Sequence, residues 1–116
     1  MTTLKENSSR SLLPFEVESA IISLGKNIRI ARIRRGLRLV DLAQKIGISR
    51  FSLAAIEKGK PSASIGSYVG ALWALGLLKQ LESLGSPDLD EEGKALEAIR
   101  SPKTASKRRK VLDNDF

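Results

Sequence analysis

The chain contains no cysteine and no histidine. Those two absences exclude a disulfide framework, a thiol nucleophile, a zinc site of the Cys/His type and imidazole acid–base chemistry. Only a carboxylate- or lysine-based enzyme is left, and the chain is read as a non-enzyme that needs no metal and no cofactor. Aromatic residues make up only 4%, against 41% apolar residues overall. That balance fits a helical domain built on Leu, Ile and Ala rather than a β-sandwich. The lack of cysteine fits a reducing compartment without deciding it. Long apolar runs are missing too. Leu12-Leu13-Pro14-Phe15 is far too short for a signal core. The uncharged stretch from Pro61 to Leu78 is broken by Pro61, serines and glycines, and only its second half is apolar. It reads as a buried helix and not a membrane span. The expectation is a cytoplasmic protein without a membrane partner.

What the sequence does have is positive charge in one place. The 116 residues amount to one domain, with 20 basic and 13 acidic groups and a net charge of +7. Residues 25–60 hold ten of the basic groups and only two acidic ones, whereas residues 82–100 hold six acidic and two basic. A local basic excess attracts a polyanion through phosphate charge and counterion release. On charge alone a solvated face of a basic protein is the competing reading, so the motif inside the stretch has to decide.

Four segments follow from composition: an arm over 1–14, a folded domain over 15–84, a linker and acidic helix over 85–100, and a basic tail over 101–116. The arm and the tail are expected to be flexible. Val17, Ile21, Leu24, Ile28 and Ala31 recur at steps of three and four, which lines one face of a helix from Phe15 to Gly36. Gly25 marks the point where that helix is expected to kink or split. A second helix spans Leu39 to Ile46 and stops at Gly47. Ser49 caps a third, running to about Lys58, and Ser64 caps a fourth, to about Leu75. Leu77 to Leu84 is expected as a short fifth helix. After Gly85-Ser86-Pro87, Asp88 or Asp90 opens an acidic helix that ends near Arg100.

Short helices joined by glycine turns suggest a helix-turn-helix. Two helices that cross closely need a small residue where they touch, and Ala43 is placed there. The turn four residues on needs a positive φ, which Gly47 adopts cheaply. The second helix of the unit must pin itself with apolar groups one turn apart, as Leu53 and Ile56 do.

At this point the text from Leu24 to Gly76 resembles a family. Leu24-Gly25, Ile28, Arg32, Gly36-Leu37, Asp41-Leu42-Ala43, Gly47-Ile48-Ser49 and Ile56-Glu57-Lys58-Gly59 are similar to the Cro/CI-type (XRE-like) helix-turn-helix of phage and bacterial repressors. The resemblance covers just under half of the chain. It implies an all-α, five-helix, lambda-repressor-like domain, here with an extra acidic helix and two tails, that binds double-stranded operator DNA in the cytoplasm, at the nucleoid.

The resemblance also implies roles. The helix from Ser49 enters the major groove with its N-terminal residues at the base edges. Arg50 grips a guanine through two hydrogen bonds, or else holds a phosphate. Phe51 meets a thymine methyl, or else packs on its own domain. Ser52 touches a base or phosphate, and Ala55 offers an apolar contact. Arg38, Ser49, Lys58, Lys60 and Ser62 flank the groove as phosphate contacts, with solvated side chains as the alternative. Arg32 and Glu57 pair across the domain as a structural link. Two positions depart from the family pattern: Leu39 stands where a phosphate-clamping Gln is usual, and Arg38 where a Thr or Ser cap is usual.

Repressors of this type pair as two-fold dimers, so that two reading helices meet major grooves about 34 Å apart. Trp73, Leu77, Leu78 and Leu81 are the candidate homodimer surface, with completion of the monomer core as the alternative. A looser resemblance spans Leu13-Pro14-Phe15-Glu16-Val17-Glu18, Ala71 to Leu78, and the closing Leu112-Asp113-Asn114-Asp115-Phe116. These segments look like HipB-like antitoxins, the DNA-binding partners of HipA-like Ser/Thr kinase toxins. That implies autoregulation of a toxin–antitoxin operon and association with the toxin. Lys107-Arg108-Arg109-Lys110 then lies along DNA, and Phe116 docks in a partner pocket; a solvated end is the alternative. A stand-alone regulator, or an interaction adaptor that has lost DNA binding, are the competing functions.

Overall fold

A computed structural model describes residues 12–100. The described residues form helices and turns without a strand. The chain divides into two compact units between Lys79 and Gln80. The first holds α1 (Phe15–Arg34), α2 (Leu39–Ile46), α3 (Arg50–Glu57) and α4 (Ile65–Ala74). A 3-10 helix, Leu78–Ser83, spans the division. The second unit continues with a 3-10 turn, Pro87–Leu89, and α5 (Glu91–Arg100).

The helix starts follow from local chemistry. α1 has Glu16 and Glu18 in its first turn and Arg32 and Arg34 in its last, each sign where the helix dipole favours it. Ser49 and Ser64 cap α3 and α4 by accepting from the backbone N–H three residues on, at 3.0 and 3.1 Å. α5 begins at Asp90, whose Oδ1 accepts from the Gly93 N–H at 2.9 Å. Of the two acidic starts the sequence allowed, Asp90 is therefore the one used.

The core of the first unit is made of Ile28, Leu42, Leu53 and Ile56, all fully buried, with Ala31, Ala43, Tyr68, Ala71, Leu72 and Leu75 around them. Each large side chain among these stabilises the fold by about 1.5–3 kcal/mol relative to exposure. α2 packs on α3 and α4, and α1 packs on α3. Tyr68 is buried but not unsatisfied: its hydroxyl donates to the Lys60 carbonyl at 2.8 Å, tying α4 to the turn after α3.

One local expectation needs correction and another is made finer. Gly25 does not split α1, which runs unbroken for 20 residues. A Cβ at Gly25 would stand 2.5 Å from the Ile56 carbonyl oxygen and 2.8 Å from both the Glu57 carbonyl oxygen and the Gly59 nitrogen. The missing side chain lets the backbone at the end of α3 press against α1. The segment expected as a short fifth helix is helical, but as a 3-10 helix rather than an α-helix. It is bracketed by Gly76 and Gly85, both at positive φ, and its 3-10 form over Leu78–Ser83 is the form short connectors commonly take.

Candidate nucleic-acid interface

Gly47 closes α2 at φ +85, with its N–H donating to the carbonyls of Ala43 (2.9 Å) and Gln44 (3.2 Å). A residue with a Cβ would be strained at that φ. The chain reverses over Ile48, and Ser49 starts α3. Ala43 is buried, and α2 packs on α3. α3 turns Leu53, Ile56 and Glu57 inward.

Its first turn faces the other way. Arg50, Phe51 and Ser52 are all exposed, and Phe51 has 74% of its surface open to solvent. Phe51 is thus not part of its own domain's core. The Arg50 guanidinium carbon sits 5.2 Å from the centre of the Phe51 ring, a distance at which a cation is attracted to an aromatic face. Ser49 and Ser52 are linked twice: the Ser52 N–H donates to the Ser49 hydroxyl oxygen, and the Ser49 hydroxyl donates to the Ser52 hydroxyl, both at 3.0 Å. The capping oxygen of Ser49 is therefore committed to the helix start. Ala55 is half-buried, further from the tip.

The far end of α3 is fixed to α1. Arg32 donates through Nε to Glu57 Oε2 at 2.6 Å and through Nη2 to Oε1 at 3.0 Å. Its Nη1 donates to the Leu37 carbonyl at 2.8 Å. Both side chains are buried. The charge-assisted fork holds the Arg32 guanidinium even further above its already high pKa, mainly through the hydrogen bond to Glu57. The pair joins α1, the turn after it and the last turn of α3, so the orientation of the exposed first turn is set from behind. Gly59 ends α3 at φ +74, its N–H donating to Ile56 and that of Lys60 to Ala55. Lys58, Lys60 and Ser62 lie exposed beyond this cap.

Arg38 has a partner that the sequence reading missed. Asp41 Oδ2 accepts from the Arg38 backbone N–H at 2.8 Å and from its Nε at 3.1 Å, and Oδ1 accepts from Nη2 at 3.1 Å. The guanidinium hydrogen bond, and then the backbone one, hold the Asp41 carboxyl below the ordinary aspartate range. This is the acidic half of a capping box; arginine has no acceptor to supply the other half. The signal was legible as an acidic residue three positions after the capping residue Arg38. Arg38 thus meets any phosphate with a carboxylate already beside it.

The other expected surface residues are spread over the chain. In the first unit Trp73 is 59% exposed, Leu78 is exposed and Leu77 half-buried. Leu81 is half-buried and belongs to the second unit. Trp73 is therefore not part of the buried core of the first unit. Residues Lys107, Arg108, Arg109, Lys110 and Phe116, and most of the 1–14 arm, lie outside the described residues. No described helix is long and apolar enough to cross a membrane.

Residues 28–67 match the family model described as helix-turn-helix. The match begins in the second half of α1, takes in α2 and α3, and ends in the first turn of α4. The chain therefore carries a helix-turn-helix within an all-helical fold, as the resemblance of residues 24–76 implied. No curated protein and no solved structure matches the chain.

Proposed function

We propose that the chain is a sequence-specific DNA-binding transcription regulator, and that α3 is its reading helix. The observation that carries this is the outward first turn of α3, with Arg50, Phe51 and Ser52 exposed on a helix whose other face is buried and whose end is locked by the Arg32–Glu57 pair. A rigid helix presenting a cation and polar groups at its N-terminal turn suits base edges in the major groove. Arg50, Phe51, Ser52 and Ala55 are assigned to bases. Arg38, Ser49, Lys58, Lys60 and Ser62 are assigned to the flanking phosphates, Arg38 with its charge partly offset by Asp41 and Ser49 through groups not spent on the cap.

The finer reading is a HipB-like antitoxin. It works as a homodimer, represses its own operon and associates with a HipA-like kinase toxin. The segments quoted above for that resemblance support it, and so do exposed Trp73 and Leu78, which offer apolar surface to a second copy. The basic tail segment Lys107–Lys110 adds phosphate contacts, and Phe116 serves the partner.

Selection of bound duplexes from a random library by the full chain tests the DNA assignment. Enrichment of one motif, with binding that weakens steeply as salt rises, is the expected result. Recovery of unenriched sequence refutes it. Copurification of a kinase encoded beside this chain tests the antitoxin assignment, and a chain that represses its operon with no such kinase bound leaves the stand-alone regulator.

A further inference from the structure

Two groups at the tip of α3 are uncommitted and adjacent. The Arg50 guanidinium donates to no acceptor among the described residues. The Phe51 ring is largely exposed although the core nearby is apolar. The two are held together, with the guanidinium carbon 5.2 Å from the ring centre. A cation resting on a ring keeps its edge donors free, because the ring occupies only one face of the plane.

We propose that Arg50 and Phe51 act as one reading unit for a guanine whose neighbouring base pair carries a C5-methyl group, supplied by thymine or by 5-methylcytosine. This rests on the DNA-binding reading above and specifies what its central site recognises. When arginine donates two hydrogen bonds to guanine O6 and N7, its guanidinium lies in the plane of the base. Its faces then look along the groove. A ring resting on one face is carried to the level of the next base pair, since base pairs are spaced by about 3.4 Å, the same order as the 5.2 Å separation. At that level the major groove presents donors and acceptors that a phenyl ring cannot satisfy, and burying them unpaired is unfavourable. The apolar group in the groove is the pyrimidine methyl. The coupled pair thus selects guanine beside a methylated pyrimidine and disfavours guanine beside plain cytosine. One consequence is that cytosine methylation at such a step strengthens binding.

The experiment uses the full chain and the motif enriched from a random library. Fluorescence anisotropy compares duplexes that differ only at the pyrimidine beside the guanine: thymine against deoxyuracil, and 5-methylcytosine against cytosine. Each methyl is expected to strengthen binding about fourfold per half-site, the effect of burying one such group. Phe51→Ala is expected to equalise each pair while keeping the preference for guanine, and Arg50→Ala to lose that preference. Circular dichroism establishes that both variants fold, as expected for exposed positions. Equal binding to thymine and deoxyuracil duplexes by a parent chain that still prefers its motif overturns the proposal. So does an enriched motif in which no guanine adjoins a base pair containing thymine. If no motif is enriched at all, the DNA-binding reading itself fails.

Discussion

Gly25 and Gly59 meet where α1 crosses the end of α3, each bare at the point where the other's backbone passes. A Cβ on Gly25 would stand 2.8 Å from the Gly59 nitrogen, and one on Gly59 would press on the backbone of Ile22 and on the Ile21 carbonyl oxygen at 2.9 Å. These contacts are backbone, which cannot swing aside as a side chain can. Gly25→Ala is therefore expected to destabilise the fold by about 1–3 kcal/mol, as overpacking does, despite the better helix propensity of alanine. Gly66→Ala, in α4 with only the Ser64 hydroxyl at 3.8 Å, is expected to be neutral or to stabilise by up to about 1 kcal/mol. Urea unfolding of the two variants measures the contrast; equal effects contradict the close crossing.

Glu57→Ala leaves the Arg32 guanidinium buried without its carboxylate. Loss of one partner of a buried pair costs about 3–5 kcal/mol. A double replacement, Arg32→Met with Glu57→Leu, is expected to cost much less, because no charge is then stranded. A single variant as stable as the parent would mean that the pair does not tie α1 to α3.

Asp41 gives the pH dependence its sign. Its carboxyl is held below the ordinary range by hydrogen bonds from Arg38, so the folded pKa lies under the unfolded one. The contribution to stability is then present above the unfolded value and lost as the pH falls through the folded one. An NMR titration is expected to place the Asp41 midpoint below that of free aspartate, and Arg38→Ala to move it upward. A midpoint at or above the free value contradicts the capping geometry.

Trp73→Ala is expected to leave monomer stability nearly unchanged, since the side chain is mostly exposed. Sedimentation equilibrium is the relevant measurement. If Trp73 joins two copies, the variant dissociates at concentrations where the parent is dimeric. A parent that is monomeric throughout removes this surface from the dimer.

Much of the fold was legible because its signals are local. Ser49 and Ser64 read as caps and are caps. Gly47 reads as a left-handed stop and has φ +85. Leu42, Leu53 and Ile56 fall at helical spacing and are fully buried. The Arg32–Glu57 contact came from family resemblance, since residues 25 positions apart carry no periodic signal. Gly25 misled for the same reason: propensity sees only its helix, whereas its role is set by the backbone of α3. The Leu77–Leu84 segment has helical composition and is helical, but composition does not tell a 3-10 helix from an α-helix. At the interface, exposure of Arg50 and Phe51 follows from the inward placement of Leu53 and Ile56 one face away, but their mutual stacking depends on rotamers that no spacing rule encodes.

The central claim is that the first turn of α3 is the surface that receives a duplex. Backbone amide NMR of the full chain, titrated with its selected duplex, tests it most directly. The account predicts the largest shifts over Ser49 to Ala55, with Lys58 and Lys60 following, and their collapse in Arg50→Ala. Largest shifts on Trp73 and its neighbours, with residues 49–55 unmoved at saturation, would contradict it.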